Sequence, residues 1–370
     1  DSKTCNTQSC APTITLIGTY NFTTIAPLNS TQAVGITADE LTWTNDLPSY
    51  WQYNYSYINA QVINVNANNQ VSIGGVNGIT YGYDALGAAG IKVVKINNNK
   101  LLLVGKSYYK HYSQTGDGRM GAVMIEVNGN SAWASGKVIL YDDMKWYVLL
   151  PAQITYYQGN AEAQITIEAN SSSGKVHTYT YNYNVNTGGF YEASDKTWSR
   201  KTNLHWYTDY ESLIEPPSVS TSITEAIKYF TPLDRNNKVW VGYSYGTEDT
   251  TGIHIGPASA PYVMRASNAT DYLVFPVDTY EDQYGEIVEL SHFGTSKFIA
   301  RTGANSGTNR KKNFLFYRNI NGTWKLEHTI AISDSMGSYG TLIPLNDKQM
   351  LYYSGATTTN RNLYLIQYNT

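Results

Sequence analysis

The chain has 370 residues, only 15% of them charged, and a formal net charge of −3. It therefore lacks the clustered Lys and Arg that nucleic-acid binding requires to neutralise phosphates. No apolar run approaches the roughly twenty residues of a membrane-spanning helix, so membrane insertion is not expected.

The chain starts at Asp1 rather than methionine, which reads as a removed leader or a trimmed chain; a removed leader predicts an extracellular or cell-surface protein. Cys5 and Cys10, its two cysteines, are spaced to close a small disulfide loop, as a local clip or as a link to a neighbouring subunit. Residues 1–12 are expected to form an arm, and 13–370 an all-β body. Within the first eighty residues, which read as one irregular β unit, Trp51, Tyr53, Tyr55 and Tyr57 alternate with Gln52, Asn54 and Ser56. A strand there carries aromatics on one face and polar groups on the other.

Further on, the chain repeats itself. Ile91–Ile96 runs through Asn97-Asn98-Asn99 into Lys100–Gly105, and Tyr229–Leu233 runs through Asp234–Asn237 into Lys238–Gly242. Ile287–Phe293 leads through Gly294-Thr295-Ser296 into Lys297–Ala300, and Thr341–Leu345 through Asn346-Asp347-Lys348 into Met350–Tyr353. Each reads as a β-hairpin, because Asn, Asp and Gly accept the backbone angles of a tight turn between strand residues. Second hairpins follow, at Ala122–Val127 into Trp133–Leu140, Tyr179–Val185 into Phe190–Trp198, and Phe314–Arg318 into Trp324–Ile330. The tryptophans after these turns, Trp133, Trp198 and Trp324, suggest a fixed packing position on the outer strands.

Two consecutive hairpins make a four-stranded antiparallel blade. Blades are predicted near 91–141, 146–200, 225–275, 285–332 and 338–369, with the irregular one before them. The last has three clear strands, and Thr13–Thr24 is the candidate for its fourth. The turn lysines at 238, 297 and 348 are 59 and 51 residues apart, a period that suits a β-propeller. Six blades are expected, with seven as the alternative count and tandem β-sandwich domains as the alternative fold. Residues 203–224, with Pro216-Pro217, read as an irregular insertion, with a capping box at Ser222–Glu225 or a domain boundary there.

The sequence of strand, polar turn, lysine, apolar run and glycine resembles the first half of a kelch-type propeller blade. The glycine pair of that family is not kept, since Gly105 and Gly242 stand alone. The resemblance implies the fold and carries no functional residue with it.

Catalytic and metal motifs are weak. Gly242-Tyr243-Ser244-Tyr245-Gly246 matches a nucleophile elbow, but no helix follows it. The six histidines are dispersed without metal-ligand spacing. Asp278, Glu281, Asp282 and Glu286 form an acidic stretch without the spacing of a calcium loop. No cofactor or metal is expected. Asp117, Asp142, Asp143, Asp195 and Glu211 fall at predicted strand ends, where a glycosidase would need two facing carboxylates. Sequons stand at Asn21, Asn29, Asn54, Asn170, Asn268 and Asn321, with Asn170 opening a Ser-rich loop and Asn321 in an Asn-Gly turn.

The aromatic rows are the most suggestive feature. Tyr179, Tyr181 and Tyr183 repeat the alternation of 51–57, with Thr180 and Asn182 between them. Tyrosine offers an apolar ring with a polar tip, suited to sugar rings, to a like subunit, or to packing between blades. The expectation is an exported, non-enzymatic propeller glycoprotein of a cell surface, virion or filament, binding glycans or like subunits for adhesion or self-assembly. The alternative is an extracellular carbohydrate-active enzyme using strand-end carboxylates.

Overall fold

A computed structural model of the chain describes residues 11–42, 54–80, 91–108, 118–143, 150–158, 162–170, 176–184, 199–200, 227–232, 237–242, 252–257, 273–276, 286–303, 312–333, 336, 340–354 and 361–368. Their regular elements are strands, numbered β1 to β25 in chain order. The chain divides into two compact units, one of Phe22–Asp209 and one joining Asp1–Asn21 to Tyr210–Thr370. The insertion predicted at 203–224 lies outside the described residues, as do Cys5 and Cys10.

The second unit begins with the strand β1 (Thr13–Tyr20), described below with its sheet. In the unit of Phe22–Asp209, β2 (Thr24–Asn29), β3 (Gln32–Thr42), β4 (Asn54–Val65) and β5 (Val71–Ile73) pair in that order, and β6 (Asn77–Thr80) pairs with β4. The next sheet has β7 (Lys92–Asn97), β8 (Lys100–Tyr108), β9 (Gly118–Asn128) and β10 (Ser131–Asp143). A third has β11 (Leu150–Gln158), β12 (Glu162–Asn170), β13 (Val176–Asn184) and β14 (Ser199–Arg200). The other unit holds a sheet of β15 (Ile227–Pro232), β16 (Asn237–Gly242), β17 (Gly252–Pro257) and β18 (Leu273–Pro276). It is followed by one of β19 (Glu286–His292), β20 (Lys297–Gly303), β21 (Asn313–Ile320) and β22 (Thr323–Ala331). The last sheet orders β23 (Gly340–Pro344), β24 (Gln349–Ser354) and β25 (Arg361–Gln367), and takes β1 as its fourth strand.

The chain is thus all-β, built from antiparallel meanders of the β-propeller blade type. A β-sandwich would weave successive strands between facing sheets. Among the described strands, those close in sequence share a sheet, β6 pairing with β4, and only β1 crosses to a distant partner. The predicted blade bounds agree with the sheets to within a few residues, and the fourth strand expected from Thr13–Thr24 is β1.

Local chemistry explains the hairpins. Asn97 Oδ1 accepts the Asn99 N–H at 2.9 Å, and Asn346 Oδ1 accepts the N–H groups of Lys348 and Gln349 at 2.8 and 2.9 Å. These Asx turns close the chain without help from elsewhere. In the β21–β22 hairpin Asn321 (φ 52) and Gly322 (φ 84) fill the two turn positions between Ile320 and its partner Thr323. That is the type I′ turn for which Asn-Gly is favoured.

Central strands are buried on both faces and edge strands are not. All seven residues of β20 and all six of β24 are buried, whereas β1 alternates between exposed and half-buried residues. Each unit has its own core. One gathers Leu28, Val34, Ile36, Ile58, Val62, Leu101, Leu103, Val123 and Ile125. The other gathers Phe293, Ile299, Phe314, Phe316, Leu342, Met350, Tyr352, Tyr364 and Ile366.

Gly35 on β3 shows how tightly the first core closes. A Cβ there would lie 2.5 to 2.7 Å from three ring atoms of Phe22, which is 2% exposed. Gly35→Ala is expected to lower stability by about 1–3 kcal/mol, as overpacking does. Urea unfolding monitored by tryptophan fluorescence checks this; an unchanged midpoint would show that Phe22 moves aside freely.

The recurring tryptophans do not share one environment. Trp324 is 7% exposed and packs against Phe298 with ring centroids 5.3 Å apart, whereas Trp133 on the edge strand β10 is 41% exposed. Trp198 is outside the described residues. The turn lysines differ in the same way. Lys100 pairs with Glu126 across β8 and β9 at 2.7 Å, Lys297 is buried, and Lys348 is exposed.

Candidate functional site

Two polar assemblies are described in detail, one in each unit. The first arises because β20, buried throughout, contains Lys297 and Arg301. A buried cation must be paired and hydrogen-bonded, or burial costs several kcal/mol. Arg301 stands directly opposite Glu289 in the β19–β20 register, and its Nε donates to Glu289 Oε2 at 2.8 Å. Its Nη2 donates to the Gly340 carbonyl at 3.0 Å, while Glu289 Oε1 accepts the Leu342 N–H at 2.8 Å. The pair therefore ties the sheet of β19–β22 to β23 of the next sheet. Burial pushes the Glu289 carboxyl above its ordinary value, with Arg301 and the Leu342 N–H acting the other way.

Beside this tie lie two hydroxyls of β24. Tyr352 and Ser354 are fully buried, and neither hydroxyl makes a hydrogen bond of ordinary geometry, although the two lie close enough to interact with each other. Each such group carries a penalty of about 1–3 kcal/mol unless something satisfies it. Burial also raises the Tyr352 phenol, with Arg301 and the neighbouring Ser354 opposing the shift.

Lys297 closes one end of the same seam. Its Nζ donates to the Asp347 carbonyl and lies 5.5 Å from the Phe293 ring centroid and 4.9 Å from that of Tyr368. Burial lowers its ammonium, with Asp347 acting against the shift. The Tyr368 hydroxyl donates to Glu327, which also lies 3.7 Å from Arg318. Gly294 (φ 72) allows this fit, since a Cβ there would sit 2.8 Å from Asp347 Cβ.

The second assembly is an uncharged amide chain in the other unit. Asn29 Nδ2 donates to Gln32 Oε1 and to the Asn98 carbonyl, at 2.8 and 3.1 Å. Gln32 Nε2 donates to Asn64 Oδ1 and to the Gly129 carbonyl, at 2.7 and 3.0 Å. Asn64 Nδ2 continues to Asn130 Oδ1 at 3.0 Å. Four side-chain amides and two backbone carbonyls from two sheets are joined without a formal charge.

Of the predicted aromatic residues, Trp51 and Tyr53 lie outside the described residues. Tyr55 and Tyr57 are on β4, opposite Leu41 and Asp39 of β3. Tyr179, Tyr181 and Tyr183 occupy alternate positions of β13, opposite Ile167, Ile165 and Ala163 of β12. Asp142 and Asp143 end the edge strand β10, opposite Arg119 and Gly118. Asp117, Asp195 and Glu211 lie outside the described residues, as do Asp278, Glu281, Asp282, residues 243–246 of the elbow motif, and Asn268. Among the described residues no cluster of His, Cys, Asp or Glu is arranged to hold a metal.

The sequons have different surroundings. Asn21 is exposed, Asn54 opens β4 and Asn170 ends β12. Asn321 is exposed at its hairpin tip, whereas both hydrogens of Asn29 Nδ2 are already donated. A glycan on Asn29 would replace one of them. In a glycosylating host Asn321 is expected to be occupied and Asn29 bare, which glycopeptide mass spectrometry reads directly; the reverse pattern would contradict this geometry.

Sequence reading missed the Glu289–Arg301 tie. Counting outward from the 294–296 turn puts the two residues opposite each other, and opposite charges at such a cross-strand position were the available signal.

No family model matches the chain, and no curated protein matches it. Solved structures of similar fold include a Trypanosoma rangeli sialidase in complex with sialic acid, 11% identical, covering 95% of this chain and 54% of that one, with a TM-score of 0.42. The WD40 domain of SCAP from fission yeast is 7% identical, covering 97% of this chain and 98% of its own, with a TM-score of 0.39. A GH43 β-xylosidase/α-arabinofuranosidase from a compost microbial metagenome is 9% identical, covering 75% of this chain and 90% of its own, with a TM-score of 0.32. The chain spans about half the length of the sialidase chain. At these identities and TM-scores the likeness carries no argument about this chain, and no residue's role is transferred.

Proposed function

We propose that this chain is a carbohydrate-recognising protein of the cell exterior, and that it makes contact through the tyrosine-bearing strands β4 and β13. The observation that carries the reading is the spacing of Tyr179, Tyr181 and Tyr183 along one antiparallel strand, repeated by Tyr55 and Tyr57 on another. Alternate residues of a strand share a face, and a row of phenol rings offers flat apolar surface with hydroxyl tips, the complement of a sugar ring. The low charge and the neutral amide chain suit an uncharged ligand better than an ionic one. Recognition coupled to cleavage is the second reading, motivated by the strand-end carboxylates, of which Asp142 and Asp143 end β10. Like subunits are the other class of partner for the same tyrosine rows.

The test is a glycan array, with polysaccharide degradation assayed on the same preparation. Saturable binding that survives high salt and falls at least tenfold in Tyr181→Ala/Tyr183→Ala supports recognition; release of new sugar ends, lost on replacing Asp142 and Asp143, supports the enzyme. Concentration-dependent association without ligand assigns the tyrosines to a like subunit. Absence of all three overturns the proposal.

A further inference from the structure

We propose that the hydroxyls of Tyr352 and Ser354 share one buried water molecule, held between β23 and β24 beside the Glu289–Arg301 tie. The two residues are separated by one position on β24 and so face the same way. Ser354 pairs in register with Gly340. A Cβ on Gly340 would lie 2.6 Å from Tyr352 Oη and 2.5 Å from the nearest ring carbon, so the phenol hydroxyl rests against the bare backbone of that glycine. Both hydroxyls therefore lie beside Gly340, whose carbonyl accepts from Arg301.

The chemistry there selects the ligand. Each hydroxyl can donate one hydrogen bond and accept two, and beyond their contact with each other no protein group satisfies them. A direct bond between the two would leave one O–H without an acceptor. A water molecule accepts from one and donates to the other, and internal waters make about three such bonds in polar recesses. An anion is disfavoured because the guanidinium beside the recess is already neutralised by Glu289.

A polar row leads outward from the recess. Ser354 pairs in register with Asn362, whose Oδ1 accepts from the exposed Thr19 hydroxyl at 2.9 Å and whose Nδ2 donates to Tyr364 Oη at 3.3 Å. Such a row gives the water a route of exchange with solvent that does not cross the apolar core. The inference is independent of the proposed function.

The test is a crystal structure of the native protein at high resolution, grown without small additives, together with oxygen-17 relaxation dispersion in solution on the native protein and on Ser354→Ala. The expected result is a single-atom density peak about 2.6–3.2 Å from both oxygens, and one long-lived water fewer per molecule in the variant. An empty recess, hydroxyls bonded to other protein groups, or density larger than one atom would each overturn the proposal. If Ser354→Ala does not fold, Tyr352→Phe serves for the solution measurement and the native crystal structure still decides.

Discussion

Arg301→Met is expected to destabilise the unit that contains it by about 3 kcal/mol, the scale seen when one member of a buried ion pair is removed. Methionine fills much of the space of the arginine stem, so the loss is chiefly electrostatic. Glu289 keeps the Leu342 N–H but loses its counter-charge, and the Gly340 carbonyl loses a donor. The second variant, Glu289→Gln/Arg301→Met, is expected to recover most of the loss, because glutamine still accepts from Leu342 and brings no charge. The pH dependence has a definite sign. Burial holds the folded-state pKa of Glu289 above its unfolded value, so its contribution is fully favourable below the ordinary carboxylate pKa and declines as pH rises through the folded value. Removing Arg301 takes away the main opposing charge and raises that pKa further. The cost of Arg301→Met should therefore be largest near neutral pH and shrink toward pH 4. Chemical denaturation of the three proteins at several pH values measures this, and a cost independent of pH would mean that Arg301 acts only by packing.

Much of the fold was legible because turns are local. Asn97, Asn346 and the Asn321-Gly322 pair fix their hairpins with groups one to three residues away, and a reader of sequence sees those groups. The closing strand was legible for a different reason, since the final unit offered three strands where its neighbours offered four. The lysine repeat marks the hairpins and no more. What a lysine meets at its turn depends on the next strand or sheet: Glu126 for Lys100, and the Asp347 carbonyl with two aromatic rings for Lys297. Trp133 and Trp324 teach the same lesson, because burial of an edge strand is decided by what covers its sheet. The Tyr352–Ser354 recess was invisible for the strongest reason. It exists only where β24 meets Gly340 and the arginine of another sheet, a coincidence without local trace.

Removal of residues 1–20 is expected to have the other large effect, on the order of 5 kcal/mol, from seven ladder positions at a net value near ~0.5–1 kcal/mol each. β1 pairs with β25 from Thr13 opposite Gln367 to Tyr20 opposite Arg361. Side chains reinforce the ladder: Thr13 Oγ1 donates to Gln367 Oε1 at 3.0 Å, and the Tyr353 hydroxyl donates to the Tyr20 carbonyl at 2.9 Å. Ile14 packs against the core of that unit. Without β1, the strand β25 becomes an open edge whose four central residues, Leu363 to Ile366, are apolar and buried. Such an edge is a template for pairing with another chain, so the truncated protein should aggregate as well as melt early. The pairing also joins residues more than three hundred positions apart, as the Thr13–Gln367 bond shows, and so commits the chain's first strand to its last sheet. A loss of this size takes a domain of ordinary stability close to its unfolding threshold. Adding a synthetic peptide of residues 11–21 should restore the melting temperature and the monomeric elution volume, because strand addition needs only the backbone edge and the matching side chains. If the truncated chain melts within a degree or two of the intact protein and stays monomeric, β1 is an ornament on the sheet rather than its closing strand.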